Sequence, residues 1–363
     1  MPSASGWQSD KEDPVLASAS SARIGLLLGL LLLAGCGQPA DPARHRQFFA
    51  LGTLVEVTYY GIGSDVAEQA SQELEQMFLR MHAEWHAWQP GRLQDTNRRL
   101  ATGDAFPADP ELLPLFEKAN RLSILSDGLF NPTIGKLVSI WGFHSDERPA
   151  GPPPDNSALT ALVSQQPSVT DVAINDGYLR SSNPAVRYDL GAVAKGHAID
   201  QGIGRLRELG IHNAIINAGG DLRAIGRHGD RPWRIGIRDP RGPGVLAAIE
   251  LGDDESVFTS GDYERFFDHG GRRYHHIIDP RTGYPADTVT SVTVVHTDAT
   301  TADAAATALF VAGPEHWHAI ARRMGIRYVL MIDANGTVHM NPAMQKRISF
   351  DTEPADIRLS TPL

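Results

Sequence analysis

The sequence pattern agrees with an α+β fold, although the pattern alone does not fix that class. Helical periodicity marks some stretches and strand-type alternation marks others. The two kinds do not follow one another in the regular strand–helix order of a doubly wound sheet. No repeat of fixed period is present either, which argues against a solenoid or a propeller.

Bulk properties limit the function. The 363 residues are 42% hydrophobic and 21% charged, an ordinary globular composition with enough chain for a substantial core. The formal charge is −10 and no long basic run occurs. Nucleic acid is therefore excluded as the main partner, because neutralising phosphates needs clustered Lys and Arg.

The N-terminus reads as a targeting segment. Arg23 precedes an apolar run, Ile24 to Leu33, and Ala34, Gly35 and Cys36 follow. A basic flank, a short apolar stretch and small residues make a secretory signal too short for a comfortable membrane span. Cys36 is the single cysteine, so no internal disulfide forms. Leu33-Ala34-Gly35-Cys36 resembles the lipobox of bacterial lipoproteins, which implies lipidation at Cys36. The alternative is a buried helix with a chance thiol. Met1 to Ser21 carries Asp10, Glu12 and Asp13, unusual before a signal, so this extension and residues 1–35 as a whole are set apart from the fold.

Further elements follow in chain order. Gln38 to Arg46 is a polar tether. Phe48 to Tyr60 reads as a strand pair or one bent strand, with alternation from Leu54. Asp65 to Trp88 reads as a helix capped by Ser64 or Asp65, with Leu74, Met77, Phe78 and Met81 on its apolar face. Asp109 to Ser126 reads as a second helix with Pro110 in its first turn. Arg148 to Pro154 is a Pro/Gly-rich surface insertion.

The second half carries the candidate chemistry. Arg187 to Gly191 reads as a short strand entering a turn, and Ala192 to Leu209 as a helix stopped by Gly210. Such a turn presents backbone N–H groups at a helix start, where phosphate oxygens are held, and Lys195 in the first turn can reach the same anion. The pattern is neither a Walker A loop nor a Rossmann fingerprint. An ordinary strand–helix connection with a solvated Lys fits it equally. Ala214 to Arg223 is strand, glycine pair, strand. Gly219 and Gly220 permit positive φ or close backbone approach, in a binding turn or a plain hairpin. Trp233 to Arg238 and Ser291 to His296 alternate as strands. His275 and His276 point to opposite faces if they lie on a strand, so at most one serves a site. Thr300 to Ala312 is a helix closed by Gly313. Asp303 and Thr307 share its face one turn apart, a pair of hard oxygens suited to Mg²⁺. On pattern alone, Asp303 reads more simply as a favourable first-turn charge.

Taken together, ordered segments resemble the ApbE family of FAD:protein FMN transferases. They run from Leu51-Gly52-Thr53 through Asp127 to Gly135 with Trp141-Gly142-Phe143, Asp189 to Gly196, and Asn217 to Asp221. They continue with Thr259 to Tyr263, His276 to Gly283, and Ala302-Asp303 with Ala306-Thr307. The resemblance implies a single α+β catalytic domain of mixed and antiparallel sheets with packed helices. It implies domain limits of 36–46 for the lipidated tether, 47–345 for the flavin transferase domain and 346–363 for a C-terminal tail.

The resemblance also implies roles. Asp303, Thr307 and the backbone oxygen of Ala192 match metal-ligand positions for Mg²⁺. Leu51, Trp88, Leu129, Phe130, Asn131, Asp189, Lys195 and His276 match FAD-contacting positions. Catalysis is expected at His276, as the base for an acceptor hydroxyl, and at Asp189. Lys195 holds phosphates or instead pairs with Asp189. The family usually carries Asp where this chain has Asn131, which removes a charge there. FAD is the substrate. The implied partners are membrane or periplasmic flavoproteins with a Thr or Ser acceptor, and the implied location is the bacterial cell envelope, lipid-anchored and facing the periplasm. Two rival functions remain: an FAD pyrophosphatase releasing FMN and AMP, which the same residues would serve, and a non-catalytic FAD-binding lipoprotein, against which Asp303, Thr307 and Lys195 argue because storage needs no metal at the pyrophosphate.

Overall fold

Strand pairing begins at Arg44, inside the stretch expected to be tether. The structure, a computed structural model, describes residues 43–145, 147 and 149–363. The signal segment, Cys36 and most of the tether lie outside the described residues. Strand β1 (Arg44–Ala50) pairs antiparallel with β2 (Thr53–Tyr59) across a Leu51–Gly52 turn, resolving the expected strand pair as a hairpin. Helix α1 (Ser64–Glu84) follows, then α2 (Arg92–Leu100), β3 (Phe106–Pro107), α3 (Leu113–Leu125), α4 (Gly135–Ile140) and α5 (Asn156–Val163). After β4 (Val172–Asn175) and β5 (Tyr178–Ser181) come α6 (Ala194–Glu208), β6 (Ala214–Ala218), β7 (Asp221–Ile225), β8 (Arg234–Arg238) and β9 (Val245–Glu250). The chain continues through β10 (Glu255–Gly261), β11 (Phe266–His269), β12 (Arg272–His275), β13 (Val289–His296) and α7 (Ala299–Met324). It ends in β14 (Tyr328–Asp333), β15 (Val338–Met340), α8 (Pro342–Gln345), β16 (Ile348–Phe350) and β17 (Ile357–Leu359).

A nine-stranded sheet in the order β1-β2-β6-β7-β10-β13-β14-β15-β17 is the frame. It is antiparallel apart from the β15–β17 pair. Period-two alternation gives each of its faces a core. On β14, Val329 and Met331 join the larger core with the helices, while Leu330 and Ile332 join a second core. The second core is roofed by the small β16-β9-β8 sheet, through Ile237 and Ile249. Helices thus cover one face and strands the other, which is the α+β arrangement expected. Among the described residues, no helix is long and apolar enough to cross a membrane.

Several boundaries differ from the sequence expectation. Helix α1 stops at Glu84, so Trp88 lies outside it, in a turn where the His86 ring nitrogen accepts from the Trp88 and Gln89 backbone N–H groups. Gly63, not Ser64 or Asp65, sits at its N-cap. Helix α3 starts at Leu113 because Asp109 folds residues 109–112 into an Asx-type turn, accepting from Glu111 N and Leu112 N. Arg187 makes only an isolated bridge to Ile134, and α6 starts at Ala194. Pro149, in the expected surface insertion, instead packs on Gly142 and lines a cavity. Helix α7 breaks at Gly313 as expected, with φ 71°, and then resumes from Pro314.

The segment 346–363 is not a free tail. It supplies β16 and β17, and Arg347 donates to Glu255 Oε1 at 2.9 Å. Both side chains are less than one-fifth exposed, at 19% and 14%. Stripping one partner from such a pair costs about 3 kcal/mol. Truncation after Gln345 should therefore lower the melting temperature by roughly 6 °C or more. An unchanged melting curve would show that the segment adds nothing to the fold.

Candidate functional site

Two glycine-containing hairpin turns and two helix starts meet at one cavity of about 840 Å³. The first turn, between β1 and β2, holds Leu51 at φ 53° and Gly52 at φ 72°. A side-chain-bearing residue in this left-handed region is uncommon, and here it places Leu51 in the cavity wall. The second turn, between β6 and β7, holds Gly219 at φ 68° and Gly220 at φ 102°. A Cβ on Gly219 would lie 2.4 Å from Thr53 Oγ1, so glycine is needed for the two turns to sit side by side. The glycine pair is thus a hairpin turn that also lines the cavity.

Asp221 follows that turn as the first residue of β7. One carboxylate oxygen accepts from Thr259 N at 2.9 Å and the other takes the Lys195 ammonium. Lys195 therefore pairs with Asp221, not with Asp189. Burial disfavours its charge, but the carboxylates of Asp221 and Asp303 outweigh this and hold its pKa above the usual lysine value.

Asp303 and Thr307 both line the cavity from α7. Asp303 is 6% exposed and accepts from Gly196 N at 2.9 Å through Oδ2. Its Oδ1 accepts no hydrogen bond among the described residues. Burial pushes this carboxyl up to about 7 against the pull of Lys195. Thr307 Oγ1 lies 3.3 Å from Ser260 Oγ. A desolvated carboxylate with one free oxygen, one turn from a hydroxyl, fits a small divalent cation: hard oxygen donors would gain a hard positive partner.

The remaining candidates occupy the same wall. Asp189 Oδ1 accepts from Gly191 N at 2.9 Å, and its Oδ2 lies 3.4 Å from Trp88 Nε1. The Arg187 guanidinium sits 3.9 Å over the Trp88 ring, which fixes that ring's plane at the cavity edge. Leu129, Phe130, Asn131 and Ala192 complete the set. Asn131 is neutral and structurally committed. Its amide donates to Pro167 O at 2.9 Å and its carbonyl accepts from Thr133 N and Oγ1. A carboxylate could not make the first of these bonds.

The two adjacent histidines separate as their alternation requires. His275 ends β12, buried, with Nε2 2.7 Å from Ala286 O. His276 is half-buried in the cavity wall, with Nδ1 3.3 Å from Arg265 O. Burial, with the nearby His275 and Arg265, pushes its pKa down to about 3, so the free imidazole is neutral. Nδ1–H donating to that carbonyl leaves Nε2 as the open basic atom. Every candidate from Leu51 to Thr307 thus lies on one cavity, while Cys36 is outside the described residues. Sequence reasoning assigned no role to Asp221, the partner of Lys195, which lies 26 positions further along the chain.

Known proteins resemble this chain in sequence and fold. The model of the ApbE family matches residues 51–330. An FAD:protein FMN transferase of Rhodobacter capsulatus is 44% identical over 330 residues, covering 90% of this chain and 63% of that protein. The chain thus spans less than two thirds of that relative's length. One from Vibrio cholerae is 32% identical over 315 residues, covering 84% of this chain and 92% of its own. Among solved structures, the ApbE protein of Thermotoga maritima superposes with a TM-score of 0.76 at 31% identity, covering 86% of this chain and 100% of that one. The apo form of the Pseudomonas stutzeri flavinyl transferase ApbE gives 0.75 at 28% identity, covering 88% and 100%.

Close approach of the two helix starts makes a direct test of the site's framework. A Cβ on Gly196 would lie 2.3 Å from the Ala299 carbonyl oxygen, whereas one on Gly204 of the same helix meets nothing within 4 Å. G196A should lower stability by about 1–3 kcal/mol through overpacking. G204A should be neutral or stabilising by up to about 1 kcal/mol through helix propensity. Parallel thermal melts check this, and equal melting temperatures for the two variants would contradict the packing described.

Proposed function

Because this chain belongs to the ApbE family, we propose that it is an FAD:protein FMN transferase that uses a divalent cation, Mg²⁺, at Asp303 and Thr307. The observation that carries this reading is the free Oδ1 of buried Asp303, beside Lys195 and Thr307, on a cavity at the upper end of small-molecule pocket sizes.

FAD is the substrate. Its pyrophosphate would lie by Lys195 at the N-terminal end of α6, where the ammonium and the positive end of the helix dipole favour negative charge. Asp303, Thr307 and the Ala192 carbonyl would hold the cation, which when bound neutralises pyrophosphate charge and stabilises the leaving AMP. The acceptor's Thr or Ser hydroxyl attacks the FMN-side phosphorus. An O–P bond forms to the protein, the bridging P–O bond breaks, and AMP leaves with the bridging oxygen.

His276 takes the hydroxyl proton at Nε2. Its neutral state in the free enzyme provides the lone pair, and the arriving negative charge of FAD raises its proton affinity. Asp189 orients Trp88 through the indole N–H, so that the ring can stack on a flat part of the dinucleotide. Net negative charge on the chain does not oppose this, because the field at the cation decides binding.

We further propose, from the N-terminal signal-like segment, that the protein resides in the cell envelope. Leu33 to Cys36 would direct lipidation of Cys36, and a short polar tether would join the lipid to β1, facing the periplasm. Membrane or periplasmic flavoproteins bearing a Thr or Ser acceptor are then within reach.

The test uses soluble protein starting at Gly37, mixed with FAD, Mg²⁺ and a candidate acceptor domain. An acceptor mass gain equal to FMN minus water, with equimolar AMP and loss under EDTA, is expected. AMP with free FMN and no adduct on any flavoprotein tried would favour a pyrophosphatase. Intact FAD despite tight binding would favour a carrier. D303A should lose transfer while its circular dichroism stays as wild type. Near-normal rates for it at limiting Mg²⁺ would sink the metal assignment. H276A should lose turnover by about 10²-fold or more, with FAD affinity little changed. If turnover holds, the base lies elsewhere.

A further inference from the structure

A helix start leaves backbone N–H groups without partners, and α6 and α7 satisfy one another's. At the start of α7, Ala299 N donates to Asp200 Oδ1 and Thr300 N to Asp200 Oδ2, each at 2.9 Å. Thr300 Oγ1 adds a bond of 2.6 Å to the same Oδ2. Thr301 N and Ala302 N go to the side chain and carbonyl of Asp298. In return, Gly196 N in the first turn of α6 donates to Asp303 on α7. Asp200 lies one turn beyond Gly196 on α6, so the two share a face. The pair is locked in both directions, and Asp303 lies one turn beyond the residues that Asp200 holds.

We propose that Asp200 is a positioning residue for the metal site: it fixes the rotation and rise of α7 that bring Asp303 and Thr307 to the cavity. This rests on the reading of those two residues as metal ligands. Asp200 is set for the task. Its charge is balanced by Arg223 from β7, which also bonds Asp254, and by Lys118 at 3.7 Å. All of its bonds to α7 reach the first two residues of that helix. A rigid helix held at its start carries any error there to Asp303 and Thr307 together. Because Asp303 spends Oδ2 on Gly196 and leaves Oδ1 free, a small rotation of α7 misplaces the free oxygen without unfolding anything.

The experiment measures Mn²⁺ binding to the enzyme–FAD complex by the loss of the free-ion paramagnetic resonance signal. Flavin fluorescence quenching reports FAD binding without metal. In D200N an amide N–H₂ replaces one acceptor oxygen opposite a helix N–H. The Mn²⁺ dissociation constant should rise about tenfold or more, the usual scale for groups that orient a metal's ligands. Metal-free FAD affinity should stay within about twofold. T300V removes the hydroxyl, with its bond to Asp200 and its 3.4 Å contact to His197 Nδ1, but keeps the backbone bonds, and should weaken Mn²⁺ binding by a smaller factor, while T300S restores it. If D200N does not fold, the T300V and T300S pair decides alone. Wild-type Mn²⁺ affinity in D200N and T300V would overturn the positioning role. D303A binding Mn²⁺ as tightly as wild type would instead overturn the ligand assignment on which it rests.

Discussion

Reciprocal capping holds the starts of α6 and α7 together beside the cavity. Each helix start is completed by a carboxylate from the other, Asp200 in one direction and Asp303 in the other. The exchange works only at close range, so Gly196 stands where a Cβ would strike Ala299 O. The alanines at 302, 304, 305, 306 and 308 are buried in the same region and keep α7 narrow against the sheet and α6. Larger side chains there would push the helices apart and leave buried N–H groups unsatisfied, at about 1–3 kcal/mol each.

Charge at the site follows from that packing. Buried carboxylates persist where a cation or a backbone donor meets them. Lys195 meets Asp221, Arg223 meets Asp200, and Gly196 N meets Asp303, leaving one oxygen of Asp303 open to the cavity. An acidic chain can thus present a local surface for an anionic dinucleotide. The hairpin turns contribute through backbone shape: Leu51, Gly52, Gly219 and Gly220 all have positive φ, and all four line the cavity. Asn131 belongs to the scaffold of the site, since its amide hydrogen and carbonyl are both spent on neighbouring chain.

Much of this was legible in the sequence, for identifiable reasons. Alternation in Leu54–Tyr60 and Ser291–His296 marked sheet strands because successive residues face opposite sides of the sheet, as Val55, Val57 and Tyr59 do toward the larger core. The opposition of His275 and His276 followed from strand geometry alone, and Asp303 with Thr307 from helix spacing. Errors arose where a side chain overrode local propensity. His86 ends α1 by accepting two backbone N–H groups, and Asp109 delays α3 in the same way. Strands β16 and β17 have three residues each, too few for a period to show. Asp200 read as one more polar residue in a helix, because its partners lie about a hundred positions away. Binding roles came from ordered motifs of the family resemblance, since no local pattern distinguishes Lys195 from a solvated lysine.

The capped helix pair is proposed to build a dinucleotide site with a cation at Asp303 and Thr307. A crystal structure of the soluble chain with FAD and Mn²⁺, recorded at the manganese edge, tests it most directly. An anomalous peak bonded to Asp303 Oδ1 and the Thr307 hydroxyl is expected, with the pyrophosphate of FAD against it and Lys195 beside the phosphates. Manganese elsewhere, or FAD bound outside the cavity with Asp303 still holding only Gly196, would contradict it.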